Sequence, residues 1–201
     1  MIEPVANGQI AAVVSYLECR SIPAEDATVL SRHDVALTRQ TQMACSDYRT
    51  MFRDIGKDWL WFSRLRIDDE ALSEIIHDSS TKLHTLHDVE DHLIGFLELN
   101  CTDLPCVHVS FLGVLPTLTG QGLGTYMMMR AFQLARTYDA DHLKVQTCTL
   151  DHPGALAFYR KMGFEVTKRE IEITTDPRLD GTLPRDAAPH LPLIDNSPFG
   201  G

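Results

Sequence analysis

No stretch of the 201 residues holds eighteen consecutive apolar positions, and no cleavable signal pattern stands at Met1-Ile2-Glu3-Pro4. The run a helix needs to cross a bilayer is missing, so the expectation is a cytoplasmic protein without membrane contact. Cysteine is sparse and scattered: Cys19, Cys45, Cys101, Cys106 and Cys148 are odd in number and include no C-x-x-C. This pattern is not that of a disulfide framework and reads as small buried hydrophobes in a reducing compartment. Basic residues are also few. Eighteen Lys and Arg stand against 28 Asp and Glu, a formal charge of −10, which lacks the basic stripe a general nucleic-acid binder uses. The same acidity either attracts a cationic amine at long range or serves solubility alone, and both readings stand. There is no internal repeat and no low-complexity tract. An apolar content of 44% and a charged content of 23% are ordinary for a globular chain with one sizeable core.

What the chain does have is a glycine loop, Gly120-Gln121-Gly122-Leu123-Gly124-Thr125. Before it runs VHVSFLGVL, Val107 to Leu115, closed by Pro116; after it Leu123, Met127, Ala131, Leu134 and Tyr138 recur at helical spacing. The order is strand, glycine loop, helix. Glycine lets successive N–H groups turn toward one point, and a helix start adds unpaired N–H groups and a positive dipole end, a site suited to phosphate. A P-loop is excluded, because no Lys-Ser/Thr pair follows the last glycine. The dinucleotide fingerprint would need glycine where Thr125 stands; Asp139 and Asp141 lie near its expected acidic position, so only the glycine spacing counts against it. A tight turn without any ligand remains open at this point.

A second segment, DHPGALAFYRKMGF from Asp151 to Phe164, reads as a short helix over roughly 153–162. Pro153 suits its first position, Asp151 or His152 its N-cap, and Gly163 the left-handed position past its end. Leu143, Val145 and Thr147 alternate before it as a strand. Upstream, Gln9 to Leu17 reads as a buried strand, Ser21 to Asp34 as a connection, and Val35 to Gln40 as a strand. Ser46-Asp47 caps a helix with Tyr48, Met51, Phe52 and Ile55 on its apolar face, stopped by Gly56. A second helix follows Asp68-Asp69-Glu70, and Lys82 to Leu86 with Leu93 to Leu99 reads as a hairpin. Five of the ten prolines fall after Ile173, so residues 174–201 read as an extended tail and not a second domain.

Together the loop and the later segment resemble the GNAT superfamily of acetyl-coenzyme A-dependent N-acetyltransferases. The family loop, Arg/Gln-x-x-Gly-x-Gly/Ala, matches Thr119 to Gly124, and its alanine, Phe-Tyr and Gly-Phe motif matches Ala155, Phe158-Tyr159 and Gly163-Phe164. The likeness spans about residues 35–173. It is strongest to a bacterial subgroup of small amine acetyltransferases with a TCTLDHP strand end, here Thr147 to Pro153, and a tryptophan-rich stretch, here Trp59-Leu60-Trp61. The resemblance implies an α/β (α+β) fold: one domain over residues 1–173, with a mixed, mostly antiparallel sheet flanked by helices. It implies acetyl-CoA as cosubstrate and an amine acceptor, small molecule or protein, with no metal and no nucleic acid; a homodimer is left open.

By the same resemblance, backbone groups near Gly113, Val114 and Leu115 bind the pantetheine arm and polarise the thioester. The amides of Thr119, Gly120, Gln121, Gly122, Leu123, Gly124 and Thr125 cradle the pyrophosphate, with His152, Ala155 and Phe158 flanking it. Tyr159 matches the tyrosine that donates a proton to the departing thiolate, or else is a core aromatic with a satisfied hydroxyl. The family's glutamate base falls at His108, which strand alternation sets on one face with Ser110 and Leu112; Glu98 is the rival base. Thr119 stands where arginine or glutamine is usual, and His152 where asparagine is. Trp59, Trp61 and Phe62 line an acceptor pocket or belong to the core. His84, His87, Glu90 and His92 match no zinc spacing and read as a solvated hairpin turn. Cys148, His152 and Asp151 have the residue types of a thiol triad without its geometry. The reading is direct acetyl transfer in a ternary complex. A catalytically weak acyl-CoA-binding or regulatory module is the alternative, kept open by His108; a dinucleotide oxidoreductase is disfavoured by the glycine spacing.

Overall fold

The computed structural model describes residues 4–32 and 34–195. Met1 to Glu3 and the last six residues of the expected tail lie outside the described residues. The strands are β1 Gln9–Cys19, β2 Val35–Gln40, β3 Thr81–Asp88, β4 Leu93–Asn100, β5 Cys106–Val114, β6 His142–Cys148 and β7 Glu165–Thr175. The helices are α1 Ala27–Leu30, α2 Cys45–Gly56, α3 Asp69–His77, α4 Leu123–Thr137 and α5 Ala155–Lys161. One seven-stranded sheet runs β2-β3-β4-β5-β6-β1-β7. Its neighbours are antiparallel except β5 and β6, which are parallel. The mixed, mostly antiparallel sheet agrees with the expected fold class.

Helix α2 buries Tyr48, Met51, Phe52 and Ile55, the face its spacing predicts, against Leu72 and Ile76 of α3 and Phe96 of β4. Each fully buried ring or branched aliphatic of this kind contributes about 1.5–3 kcal/mol. On the opposite face α4 packs Phe132, Ala131 and Met128 against Leu97, Leu99, Val107 and Val145. Boundaries differ where capping differs. Ala44, not Ser46, precedes α2 and no side chain caps it, whereas Asp68 caps α3 through the Ala71 N–H at 2.9 Å. The expected connection over Ser21 to Asp34 contains α1, capped by Asp26. Helix α5 starts at Ala155 and not Pro153, because Asp151 points its carboxylate elsewhere and His152 Nδ1 accepts the Gly154 N–H.

Two differences bear on the site. A bulge shifts the β4–β5 register: Leu99 faces Val109, but Glu98 faces Phe111, leaving Ser110 as the extra residue. Val107 and Val109 therefore pack toward α4, and so do Leu112 and Val114, while Phe111 packs toward α2. His108, Ser110 and Leu112 do not share a face, contrary to simple alternation. Second, the segment after β7 is not extended. Leu183, Ala187 and Ala188 pack on Leu60, and the buried Arg178 guanidinium pairs with Asp176 at 2.7 Å and donates to the Leu191 and Pro192 carbonyls. Residues 176–195 thus fold back over the α2 side of the sheet; proline spacing alone did not register these long-range partners. Among the described residues no helix is long and apolar enough to cross a membrane.

Among the described residues one histidine is buried. His84 on β3 is 5% exposed, and burial, reinforced by the Arg39 charge, pushes its imidazole down from 6.5 to about 4. The unfolded chain takes up a proton below 6.5 that the fold refuses until about 4, so His84 favours the folded state fully above that window and loses this as pH falls through it. The loss at pH 4 is at most about 3 kcal/mol. Urea unfolding at pH 7 and pH 4.5 should show that destabilisation, and His84→Gln should flatten the pH dependence across the interval.

Candidate active site

The parallel ladder of β5 and β6 holds only from Cys106–His142 to Val109–Val145. Past the bulge the strands part, and a cavity of about 580 Å3 occupies the gap. It has two halves. On the α4 and α5 side lie Val114, the glycine loop, Ala155, Phe158 and Tyr159. On the α2 side lie Phe111, Gly113, the turn Trp59 to Ser63, and Ile10, Ala12 and Val14 of β1.

The loop half is built from backbone. Gly122, at φ 79°, is the N-cap of α4, and no side chain caps the helix. The first helical acceptor serves Tyr126, whose N–H reaches Gly122 O at 3.0 Å, which leaves the Leu123, Gly124 and Thr125 N–H groups without helical partners. Three amides and a dipole end converge where a side chain would be strained, and this donor set fits a phosphate. Among the described residues that line the cavity there is no Lys or Arg. Arg32 reaches the loop from outside the lining, donating from Nη1 to Gln121 O at 2.9 Å while its guanidinium pairs with Asp34.

Placement of the expected cofactor residues divides along the ladder. Thr119, Gly120, Gly122, Leu123, Gly124, Thr125, Gly113, Val114, His152, Ala155 and Phe158 line the cavity; Gln121 and Leu115 do not. Leu115 donates its N–H to Ile94 O at 2.9 Å, and an antiparallel strand turns alternate residues to opposite neighbours. Gly113 and Leu115 therefore bond to β4, and Val114 and Leu112 turn their backbone groups into the gap. Leu112 was legible only to a reading that included the bulge.

Asp151 fastens the mouth. Its Oδ2 accepts from Thr147 Oγ1 at 2.7 Å and Cys148 N at 2.9 Å, and its Oδ1 accepts from Trp61 Nε1 at 3.0 Å. Trp61 packs on Phe111, Phe52 and Phe96 at 5.3, 5.6 and 6.1 Å between ring centroids. It is both cavity wall and core. Its ring lies so close to β5 that a Cβ at Gly113 would sit 2.8 Å from Trp61 Cη2 and 2.6 Å from Ile55 Cγ2.

Tyr159 lines the cavity with its ring between Phe158 and Phe164. Burial, then the Asp151 charge, drives its phenol far above the ordinary range. Burial and Asp151 likewise push the Cys148 thiol up to about 11, so the triad residue types contain no thiolate near neutral pH. The two base candidates do not reach the cavity. Glu98 is 1% exposed and accepts from Tyr48 Oη at 2.6 Å and Arg64 Nη2 at 2.7 Å, a buried structural carboxylate. His108 is half-exposed, 3.6 Å from Asp103, with its imidazole lowered by burial against the pull of that carboxylate. Glu172 of β7, which no motif marks, does line the cavity. The histidines of the β3–β4 turn bond locally, and no metal-holding group occurs among the described residues.

The sequence profile of the family described as Acetyltransferase (GNAT) family matches residues 46–164. Comparison with curated proteins gives no match. Among solved structures, a GNAT family acetyltransferase from Elizabethkingia anophelis with acetyl-CoA bound aligns at TM-score 0.52 and 17% identity over 68% of this chain and 80% of that one. A GCN5-related N-acetyltransferase from Sphaerobacter thermophilus aligns at 0.56 and 11% over 86% and 52%. A functionally unknown conserved protein from Staphylococcus epidermidis aligns at 0.53 and 16% over 84% and 63%. The chain thus spans less than two thirds of the last two, and at these identities the likeness is one of fold.

Gly113→Ala should cost about 1–3 kcal/mol in chemical denaturation, as overpacking against Trp61 and Ile55 requires, and should alter the tryptophan fluorescence. Gly124→Ala is the control: its Cβ would sit 3.7 Å from Phe158, an ordinary contact, and stability should hold or rise.

Proposed function

The chain belongs to the acetyltransferase (GNAT) family, and from that premise we propose that it moves an acetyl group from acetyl-CoA to a primary amine by direct attack in a ternary complex. The observation that carries the reading is the cavity that passes between β5 and β6, with phosphate-suited amides on one side of the sheet and an aromatic pocket on the other. A donor on the loop side and an acceptor on the α2 side meet in the gap.

In this reading the amides of Leu123, Gly124 and Thr125 hold the diphosphate, and the gap-facing groups of Leu112 and Val114 bond to the pantetheine arm. N–H groups of β5 polarise the thioester carbonyl. The ammonium form of the acceptor first releases one proton to water at the open rim. The neutral nitrogen then bonds to the carbonyl carbon, the carbon–sulfur bond breaks, and the surplus proton on nitrogen ends on sulfur. The products are an amide and coenzyme A thiol. Tyr159 has a different part from the one its family position suggests. A phenol raised by burial and by Asp151 is a weaker acid than an alkyl thiol and holds its proton against a thiolate. It donates a hydrogen bond to the charge growing on sulfur instead. The protonated Cys148 thiol leaves no acyl-enzyme route at that residue. Five free cysteines accord with a reducing, cytoplasmic setting.

One observation favours the second reading, an acyl-CoA-binding module: His108 and Glu98 both lie off the cavity. Two measurements separate the readings. Calorimetry should show acetyl-CoA binding, weakened at least about tenfold by Gly122→Val, because a branched side chain is strained at φ 79°. Thiol release should then depend on an added amine; binding without release for every amine selects the module. Tyr159→Phe should lower kcat about tenfold or more with little change in acetyl-CoA affinity, and the wild-type rate should show no alkaline fall from phenol ionisation up to pH 10. Full activity in the variant would remove Tyr159 from the chemistry.

A further inference from the structure

We infer that the acceptor is a primary amine on an apolar body without a carboxylate, and that Glu172 is the counter-ion seating its ammonium group. This rests on the acetyl-transfer reading above and names the substrate class that the α2-side half of the cavity accepts.

The walls set the body of the ligand. Ile10, Ala12 and Val14 of β1 form one side, and Phe111 with the turn Trp59 to Phe62 forms the other. Trp59 lies between two histidine rings, His152 at 5.0 Å and His190 at 5.6 Å, the second contributed by the folded-back segment after β7. That segment also covers Leu60 through Leu183 and Ala188. A ligand entering here slides along aromatic and aliphatic surface. A buried polar group left without a partner costs about 1–3 kcal/mol, which weighs against the amides of a peptide or the second ammonium of a polyamine.

The charges set its head group. Asp151 and Glu172 are the carboxylates that line the cavity, and no Lys or Arg lines it among the described residues. Asp151 already accepts three hydrogen bonds. The Glu172 side chain has no hydrogen bond or ion pair among the described residues. In the β1–β7 ladder it stands opposite Ala12, and two residues along β1 Val14 stands opposite Cys148 at the end of β6. Cross-strand partners share a face, and so do residues two apart on one strand, so Glu172, Ala12, Val14 and Cys148 lie on one face of the sheet, in two neighbouring rows beside the pocket. A cation on the ligand finds an unpaired carboxylate on that face. A carboxylate on the ligand finds only repulsion. Free amino acids are thereby disfavoured, and amines of the arylalkyl type are favoured.

The test uses the full chain and four probes in the thiol-release assay: phenethylamine, phenylalanine, spermidine and a short peptide with a free N-terminus. Phenethylamine and phenylalanine differ by the carboxylate alone. The expected result is a kcat/KM for phenethylamine about tenfold or more above the other three. Glu172→Gln should raise its KM about five- to tenfold with kcat nearly unchanged, and should leave acetyl-CoA affinity by calorimetry at the wild-type value. A Glu172→Asp variant should recover part of the loss, which a merely structural role at an exposed strand position would not produce. Preference for phenylalanine, spermidine or the peptide overturns the proposal, as does an unchanged KM in Glu172→Gln. Absence of turnover with all four amines while acetyl-CoA binds also overturns it and leaves the donor site standing; absence of acetyl-CoA binding sinks the parent reading instead.

Discussion

Everything distinctive about this molecule follows from two parallel strands that cannot stay together. β5 and β6 share four ladder pairs and then diverge, and the cause is local: one extra residue, Ser110, bends β5 away while it keeps its bonds to β4. Peptide groups inside a sheet are normally consumed by the neighbouring strand. Here Leu112 and Val114 retain theirs in the middle of a domain, facing a gap with a glycine loop at one end. A continuous ladder would have left two separate surface grooves, one on each face of the sheet. The break joins them into one chamber that opens to both faces of the sheet.

The chamber needs a fixed mouth, and a single carboxylate gives it one. Asp151 ties the indole of Trp61 to the end of β6, and the indole in turn is wedged into the aromatic cluster under α2. The same negative charge reinforces burial at two neighbours, raising the Tyr159 phenol and the Cys148 thiol further. A half-buried acid set among three donors adds to what burial already does, favouring the neutral forms of two nearby weak acids.

Much of this architecture was legible in the residues. Helical spacing at Tyr48, Met51, Phe52 and Ile55 gave the buried face of α2, and the glycine spacing after Leu115 located the phosphate-suited loop. Those are local signals, and local physics decides them. What the sequence hid were consequences of distant pairing. His108 sits at the residue count expected of a base, yet the bulge two residues later inverts the relation between its face and that of Leu112. Glu98 belongs to a carboxylate–phenol–guanidinium cluster with Tyr48 and Arg64, residues 50 and 34 positions away. Glu172 sits on an exposed edge strand that carries no motif, and only the β1–β7 register brings it to the cavity. The prolines after Ile173 suggested an extended tail because Arg178, which organises that segment through Asp176, has no one-dimensional signature.

The position of β1 has a kinetic consequence. This strand lies inside the sheet, bonded on one flank to β6 and on the other to β7, and its contact between Val13 and Thr149 spans 136 positions. A polypeptide emerging from a ribosome exposes β1 long before either neighbour exists. Pairings of such separation close large loops, an entropic toll that delays them relative to hairpins such as β3–β4. The half of the chamber walled by β1 and β7 therefore depends on the pairings of greatest sequence separation in the sheet, those that loop-closure entropy opposes most.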